Sequence, residues 1–206
     1  MMLAAAITDS RDFWRTVFGS DAPVEIEIGS GDGVFLTAHA AAHPSTNVLG
    51  LERSPSKARR LEERAARQGL PNVRTLQADA RCLIASLVPA SSVAAYHVYF
   101  PDPWPKRGHA GRRIFTPAFV GELARTLVPD GRLYFATDVA VYARVAHDQI
   151  LASLAFEEMP VDAAHPGLTT SFARKYRAGG RALYAFAFAR AAAADQDFAA
   201  SKIRSM

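Results

Sequence analysis

Three acidic residues stand at the ends of three successive β-rich runs: Glu27 in VEIEIGSGDG, Glu52 in NVLGLE and Asp79 in QADA. Between the first two, Gly29, Gly31 and Gly33 occupy alternate positions directly after an apolar stretch. Glycines so placed permit a tight turn and let a ligand approach the backbone at a helix N-terminus. A nicotinamide site asks for G-x-G-x-x-G, and the place of its third glycine is taken here by Val34. Glu27, two residues ahead of the first glycine, would repel a pyrophosphate but receives an ammonium or sulfonium group. The pattern therefore points away from a dinucleotide and toward S-adenosylmethionine. Glu52 lies about 20 residues beyond the turn, where an acid commonly holds both hydroxyls of an adenine ribose. Asp79 is then placed for the adenine amino group.

Charge gives a second kind of site. The chain carries 24 Lys and Arg against 20 Asp and Glu, a net of +4. Eight of the cations fall in two windows without an acid: Lys106, Arg107, Arg112 and Arg113, joined by His109, and Arg174, Lys175, Arg177 and Arg181. Removing those eight leaves 16 basic against 20 acidic residues, so the rest of the chain is net negative. Both windows contain glycine and lack periodicity, and they read as loops gripping a polyanion. His109 has no His or Cys at ligand spacing beside it, and no metal is expected from it. Trp104, between two prolines, is expected to pack its loop, and Cys82 to lie in the core.

The elements that must carry these residues alternate. Val24–Ile28 reads as a strand, then come the glycine turn and a helix over Val34–Ala42. Strand Asn47–Glu52 leads to a helix over Ser54–Gln68, and strand Val73–Gln77 to a short helix over Arg81–Leu87. A fourth strand, Val93–Phe100, ends at PDPWP. Thr116 and Pro117 fit the cap and first turn of a helix to about Leu127, stopped by Pro129–Gly131. Then follow strand Arg132–Thr137, helix Ala140–Leu154, a strand over Phe156–Pro160 and a last strand over Ala182–Arg190. Strands alternating with helices imply an α/β fold, a mostly parallel sheet with helices on both faces and its ligand beyond the strands' C-terminal ends.

With 206 residues, 50% hydrophobic and 21% charged, the chain has apolar material for one sizeable core. Residues 1–190 are expected to form one domain, and 191–206 a tail. The apolar runs are short beside the roughly 20 residues of a membrane span, so no membrane association is expected. MMLAAAITDSRDF has no basic stretch ahead of its apolar patch and lacks the layout of a secretory signal. One cysteine permits no intrachain disulfide. Together these suit the cytoplasm. Monomer and homodimer both stay open.

The segment YFPDPWPKRGHAGRRI, Tyr99 to Ile114, closely resembles the signature of the bacterial tRNA (guanine-N7-)-methyltransferase family. DFWRTVFGSDAPVEIEIGSGDG, LGLERS, FATD and TSFARK resemble further elements of that family in order, so the likeness spans roughly Asp12 to Arg190. It implies the Rossmann-like, S-adenosylmethionine-dependent methyltransferase fold, seven strands with the last antiparallel, and methylation of guanine 46 in the variable loop of tRNA. By the resemblance, Glu27, Glu52, Asp79 and Asp102 contact S-adenosylmethionine, and Asp102 also belongs to the active site. Lys106, Asp138 and the segment Thr170, Ser171, Phe172 and Ala173 fall at substrate positions, with Lys175 close behind. Gly108, Gly111 and Ala173 depart from the family's arginine, lysine and glutamate. The alternative is a paralogue of the same fold acting on another RNA or a small molecule, or a non-catalytic RNA-binding relative.

Guanine N7 carries an in-plane lone pair and no proton, so its methylation needs neither a general base nor a metal. Asp102 and Asp138 are expected to accept hydrogen bonds from the guanine edge and offset the developing cation.

Overall fold

The computed structural model describes residues 10–161 and 165–192. Fourteen regular elements follow one another: α1 (Ser10–Phe18), β1 (Val24–Ile28), α2 (Val34–Ala42), β2 (Asn47–Glu52), α3 (Pro55–Arg67), β3 (Val73–Gln77), α4 (Ala80–Leu87), β4 (Val93–Tyr99), α5 (Pro117–Thr126), β5 (Leu127–Thr137), α6 (Ala140–Leu151), β6 (Phe156–Met159), α7 (Ser171–Ala178) and β7 (Tyr184–Arg190). Short 3-10 helices span Arg107–Arg112 and Pro166–Thr169.

The strands form one sheet in the order β3-β2-β1-β4-β5-β7-β6. β3, β2, β1, β4 and β5 are mutually parallel, while β7 runs antiparallel to both β5 and β6. The chain moves outward from β1 through β2 to β3 and then returns to the other side of β1 with β4. In open sheets with such a reversal, ligands bind beyond the C-terminal ends of the two strands at the switch, here β1 and β4.

Strand alternation assigns the two faces. Val24, Ile26 and Ile28, with Tyr96, Val98, Leu133 and Phe135, pack on Ile84, Leu123 and Ile150 of α4, α5 and α6 in the largest core cluster. On the opposite face Val48 packs with Leu36, Leu61 and Ala65 of α2 and α3, while Tyr99 and Ala136 meet Phe35. Glu25, Glu27 and His97 alternate onto this second face, among residues that hydrocarbon alone does not fill.

Several boundaries differ from the sequence expectation. Pro129–Gly131 does not stop a helix ahead of β5 but lies inside the strand. Val93 pairs with Leu127 and Ala95 with Arg132, so the intervening β5 residues bulge outward, with Asp130 at φ +61°. β4 ends at Tyr99, because Phe100 turns to φ +50°. α6 stops at Leu151, short of the expected Leu154. The second basic window is not a loop: Arg174, Lys175 and Arg177 lie on α7, closed by Gly179 and Gly180. Its eight residues are too few for periodicity to reveal. α1, which the sequence expectation does not include, sets Trp14 and Phe18 against the core. Cys82 is exposed on α4 and not in the core. The expected tail lies outside the described residues from position 193 onward.

Candidate active site

The turn after β1 is set by its glycines. Gly29, Gly31 and Gly33 adopt φ of +77°, +58° and +77°, values that L side chains rarely accept. A Cβ on Gly33 would lie 2.1 Å from Cδ1 of the buried Leu61, so this glycine also lets α3 pack beneath the turn. The amides of Gly29 and Ser30 donate to Leu51 O at 2.8 and 3.1 Å, fixing the turn to β2. Arg64 of α3 donates to Asp32 O at 3.0 Å.

Glu52 is buried at the end of β2, and both its oxygens accept from backbone: Oε2 from Gly31 N at 2.9 Å and Oε1 from Ser54 N at 2.7 Å. A carboxylate has about four acceptor sites, so each oxygen keeps capacity for a ligand hydroxyl. Glu27 is only 4% exposed, and its Oε2 has no hydrogen-bond partner among the described residues. Burial, followed by the carboxylates of Glu52 and Asp32, pushes its carboxyl well above the usual range. Ser30 Oγ is likewise buried without a partner. An orphaned acid and hydroxyl beside three positive-φ glycines suit a ligand presenting a cation to the turn. Ser30 was not anticipated; its sole sequence signal is its place between two of the glycines. Asp79 caps α4, accepting from Arg81 N at 2.9 Å, with Arg81 Nε 3.6 Å away. Burial works against its ionisation, but the Arg81 amide and guanidinium hold it below the usual range.

Beyond β4 the two prolines restrict the backbone on either side of Asp102, which is exposed. Arg113 closes this loop, donating from Nε to Pro103 O at 3.2 Å and from Nη2 to Trp104 O at 3.1 Å. That cation, expected from the sequence at the substrate, also ties the loop together. Trp104 receives the edge of His109 at 5.6 Å and the Arg112 guanidinium at 4.9 Å, so the indole packs its loop as expected. Lys106 is exposed. Arg107 opens the 3-10 turn, its side chain lying outside the described residues. Gly108 and Gly111 have open space where a Cβ would project, so the departures there leave bare surface.

The third wall is α7. Thr170 is buried and caps the helix, its Oγ1 accepting from Ala173 N at 3.0 Å and donating to Gly167 O at 3.1 Å. Ala173 is wholly buried. These two residues, expected at substrate positions, build the helix start. Ser171 is partly buried, and Phe172 and Lys175 are exposed. Phe172 and Tyr176 lie 6.2 and 5.4 Å from Phe100 at the end of β4. Asp138, just beyond β5, pairs with Arg181, whose guanidinium also lies 4.8 Å over Tyr176. Arg181 belonged to the second basic window, but no spacing in the sequence indicated Asp138 as its partner.

The matching family model, described as "Putative methyltransferase", covers residues 21–185. The tRNA (guanine-N(7)-)-methyltransferase of Bifidobacterium longum is 35% identical over 88% of this chain and 73% of its own length. That of Myxococcus xanthus is 35% identical over 83% and 85%. The chain belongs to the tRNA (guanine-N7-)-methyltransferase family. The matched stretch covers 48% of the length of the Nocardia farcinica relative and 57% of that of Chromohalobacter salexigens, so the chain spans about half the length of some curated relatives. Among solved structures, the 16S rRNA methyltransferase KamB superposes with a TM-score of 0.63 over 86% of this chain and 91% of its own, at 19% identity. That likeness confirms the Rossmann-like methyltransferase fold. Among the described residues, no helix is long and apolar enough to cross a membrane.

Proposed function

We propose that this chain transfers the methyl group of S-adenosylmethionine to N7 of guanine 46 in the variable loop of tRNA. The observation that carries the reading is the buried Glu27 carboxylate with an unpartnered oxygen at the glycine turn. An ionised acid buried without a partner costs several kcal/mol, roughly, so the fold favours the protonated carboxyl until a cation completes the site. When bound, S-adenosylmethionine supplies a methyl group activated by its positive sulfur. Glu27 and Ser30 face its cationic part, Gly29, Gly31 and Gly33 give it access to the backbone, and Glu52 and Asp79 receive its ribose and adenine.

Asp102 and Asp138 accept hydrogen bonds from the guanine edge and offset the positive charge that methylation leaves on the ring. No side chain need remove a proton, because N7 has none. The protein's work is alignment, which supplies about 7 to 11 kcal/mol in well-oriented reactions. Lys106, Arg107, His109, Arg112 and Lys175 hold the RNA backbone, and Ser171 and Phe172 line its approach. Residues 1–190 form the reacting unit, and its compartment is the cytoplasm, where unmodified tRNA is found.

The test is transfer of labelled methyl to unmodified tRNA transcripts carrying guanine or adenine at position 46. Guanine-dependent incorporation at N7 is the expected result. Binding of S-adenosylhomocysteine without transfer to either transcript would overturn the substrate reading, and failure to bind it would overturn the cofactor reading.

A further inference from the structure

Glu25, His39 and His97 converge on the α2 side of the sheet at a place the proposed reaction does not use. Glu25 enters from β1, His97 from the neighbouring β4 and His39 from α2 above them. Glu25 Oε2 lies 2.8 Å from His39 Nε2 and 2.7 Å from His97 Nε2. One donor atom from each residue lies within 4.8 Å of the others. His97 is almost completely buried, its side chain 1% exposed, against 11% for His39 and 19% for Glu25. The three line a cavity of about 460 Å³ that also touches Tyr134 and His43.

We propose that Glu25, His39 and His97 bind one divalent transition-metal ion of the zinc class. Two imidazoles and a carboxylate form a familiar three-ligand set for zinc, with a fourth position left for water. A tetrahedral ion about 2.0–2.2 Å from each ligand needs donor atoms roughly 3.3 Å apart, so Glu25 Oε2, now 2.8 and 2.7 Å from the two Nε2 atoms, draws back by about half an ångström to admit it. The cavity supplies the open fourth side. His97 Nδ1 lies 2.7 Å from Tyr99 Oη, an outer contact of the kind that orients a ligating imidazole. Tyr134 stacks on the same ring at 5.3 Å, and Phe35 stacks on His39 at the same distance.

Protonation explains how the same three residues exist without the ion. Glu25 Oε2 stands between the two imidazoles, within hydrogen-bond distance of both Nε2 atoms. An ionised carboxylate only accepts, so both facing Nε2 atoms carry protons. The ion takes the place of those protons. His97 keeps one ring proton, which moves from Nε2 to Nδ1 and is then donated to Tyr99 Oη where before that nitrogen accepted. The ion joins β1, β4 and α2, so it stabilises this part of the fold whether or not tRNA is the substrate.

The experiment uses the full, tag-free chain after chelator treatment, titrated with Co²⁺ and followed by its visible d–d absorption. The expected result is a tetrahedral band saturating at one equivalent, displaced by Zn²⁺, with a thermal midpoint that rises as Zn²⁺ is added. Glu25→Gln and His39→Ala each weaken Co²⁺ binding at least tenfold and abolish the Zn²⁺ shift, while circular dichroism reports whether each variant folds. His147, which faces Asp148 and Glu158 at the surface, is the control, and His147→Ala leaves the band intact. Absence of both band and thermal shift in the parent protein overturns the proposal. So does undiminished binding by the two folded variants, or loss of the band in His147→Ala. If His39→Ala does not fold, Glu25→Gln, which preserves size, decides.

Discussion

Glu52 Oε2 accepts the Gly31 amide at 2.9 Å, so the carboxylate ending β2 holds the turn that follows β1. Its other oxygen accepts Ser54 N at the start of α3. One buried side chain thus fixes the turn and the next helix before any ligand is bound. Glu52→Ala leaves two amides without these acceptors, costing about 2 to 3 kcal/mol of stability together with the cofactor. Glu52→Gln keeps the volume but sets an NH₂ group against one of the two amides. Both variants are expected to bind S-adenosylhomocysteine at least tenfold more weakly by titration calorimetry. Unchanged affinity in Glu52→Gln would remove Glu52 from the site.

Glu27 makes stability and binding respond oppositely to pH. Its folded carboxyl titrates well above the ordinary 4.5, so the fold favours the protonated form. That contribution is fully present below about pH 4.5 and is lost as pH rises through the folded value. Glu27→Gln should therefore melt higher than the parent at pH 8 in the absence of ligand, and the difference should vanish toward pH 4. S-adenosylhomocysteine presents an ammonium to the ionised carboxylate, so parent affinity rises with pH over the same range. The variant loses that rise and binds about tenfold more weakly or worse. A variant melting below the parent at pH 8 would contradict the argument.

Gly33 and Gly31 both have positive φ, but only Gly33 is crowded. Gly33→Ala combines left-handed strain with an overlap against Leu61 and should cost about 3 kcal/mol. Gly31→Ala meets open space and should cost about 1 to 2 kcal/mol. Urea unfolding of the pair measures the difference, and the reverse order would refute the packing role of Gly33.

Asp102 is exposed and sits on a loop secured by Arg113. Asp102→Ala is expected to lower kcat for tRNA by about 10² or more, as loss of a group that stabilises developing charge does. The S-adenosylhomocysteine Kd and the melting temperature should change little. Parallel losses of turnover and cofactor affinity would confine Asp102 to cofactor binding.

Two cations of one basic window should behave differently. Lys106→Ala is expected to leave stability intact and to lower the slope of log affinity for tRNA against log salt by about 0.7 to 0.9, one phosphate contact. Arg113→Ala releases the carbonyls of Pro103 and Trp104 and should lower the melting temperature and kcat together. A stable Arg113→Ala protein with only a changed salt slope would return Arg113 to the RNA surface.

The sequence by itself determined much of the sheet, because a period of two and a period of 3.6 are local properties of the chain. β1, α2, β2 and β3 have the limits the pattern predicts, and Thr116 caps α5 as its hydroxyl suggests. The glycine turn and its acids were also legible, since positive φ and orphaned charge restrict residue type. What each cation does was decided by tertiary structure. Arg113 and Lys106 are both basic residues in one window, yet only Arg113 reaches the carbonyls that close the loop. Asp138 and Arg181 are 43 positions apart and meet because β7 folds back antiparallel on β5, setting Thr137 opposite Tyr184. Glu25, His39 and His97 come together for the same reason: strand pairing and helix packing bring distant positions within hydrogen-bond reach, and chain spacing does not encode that distance.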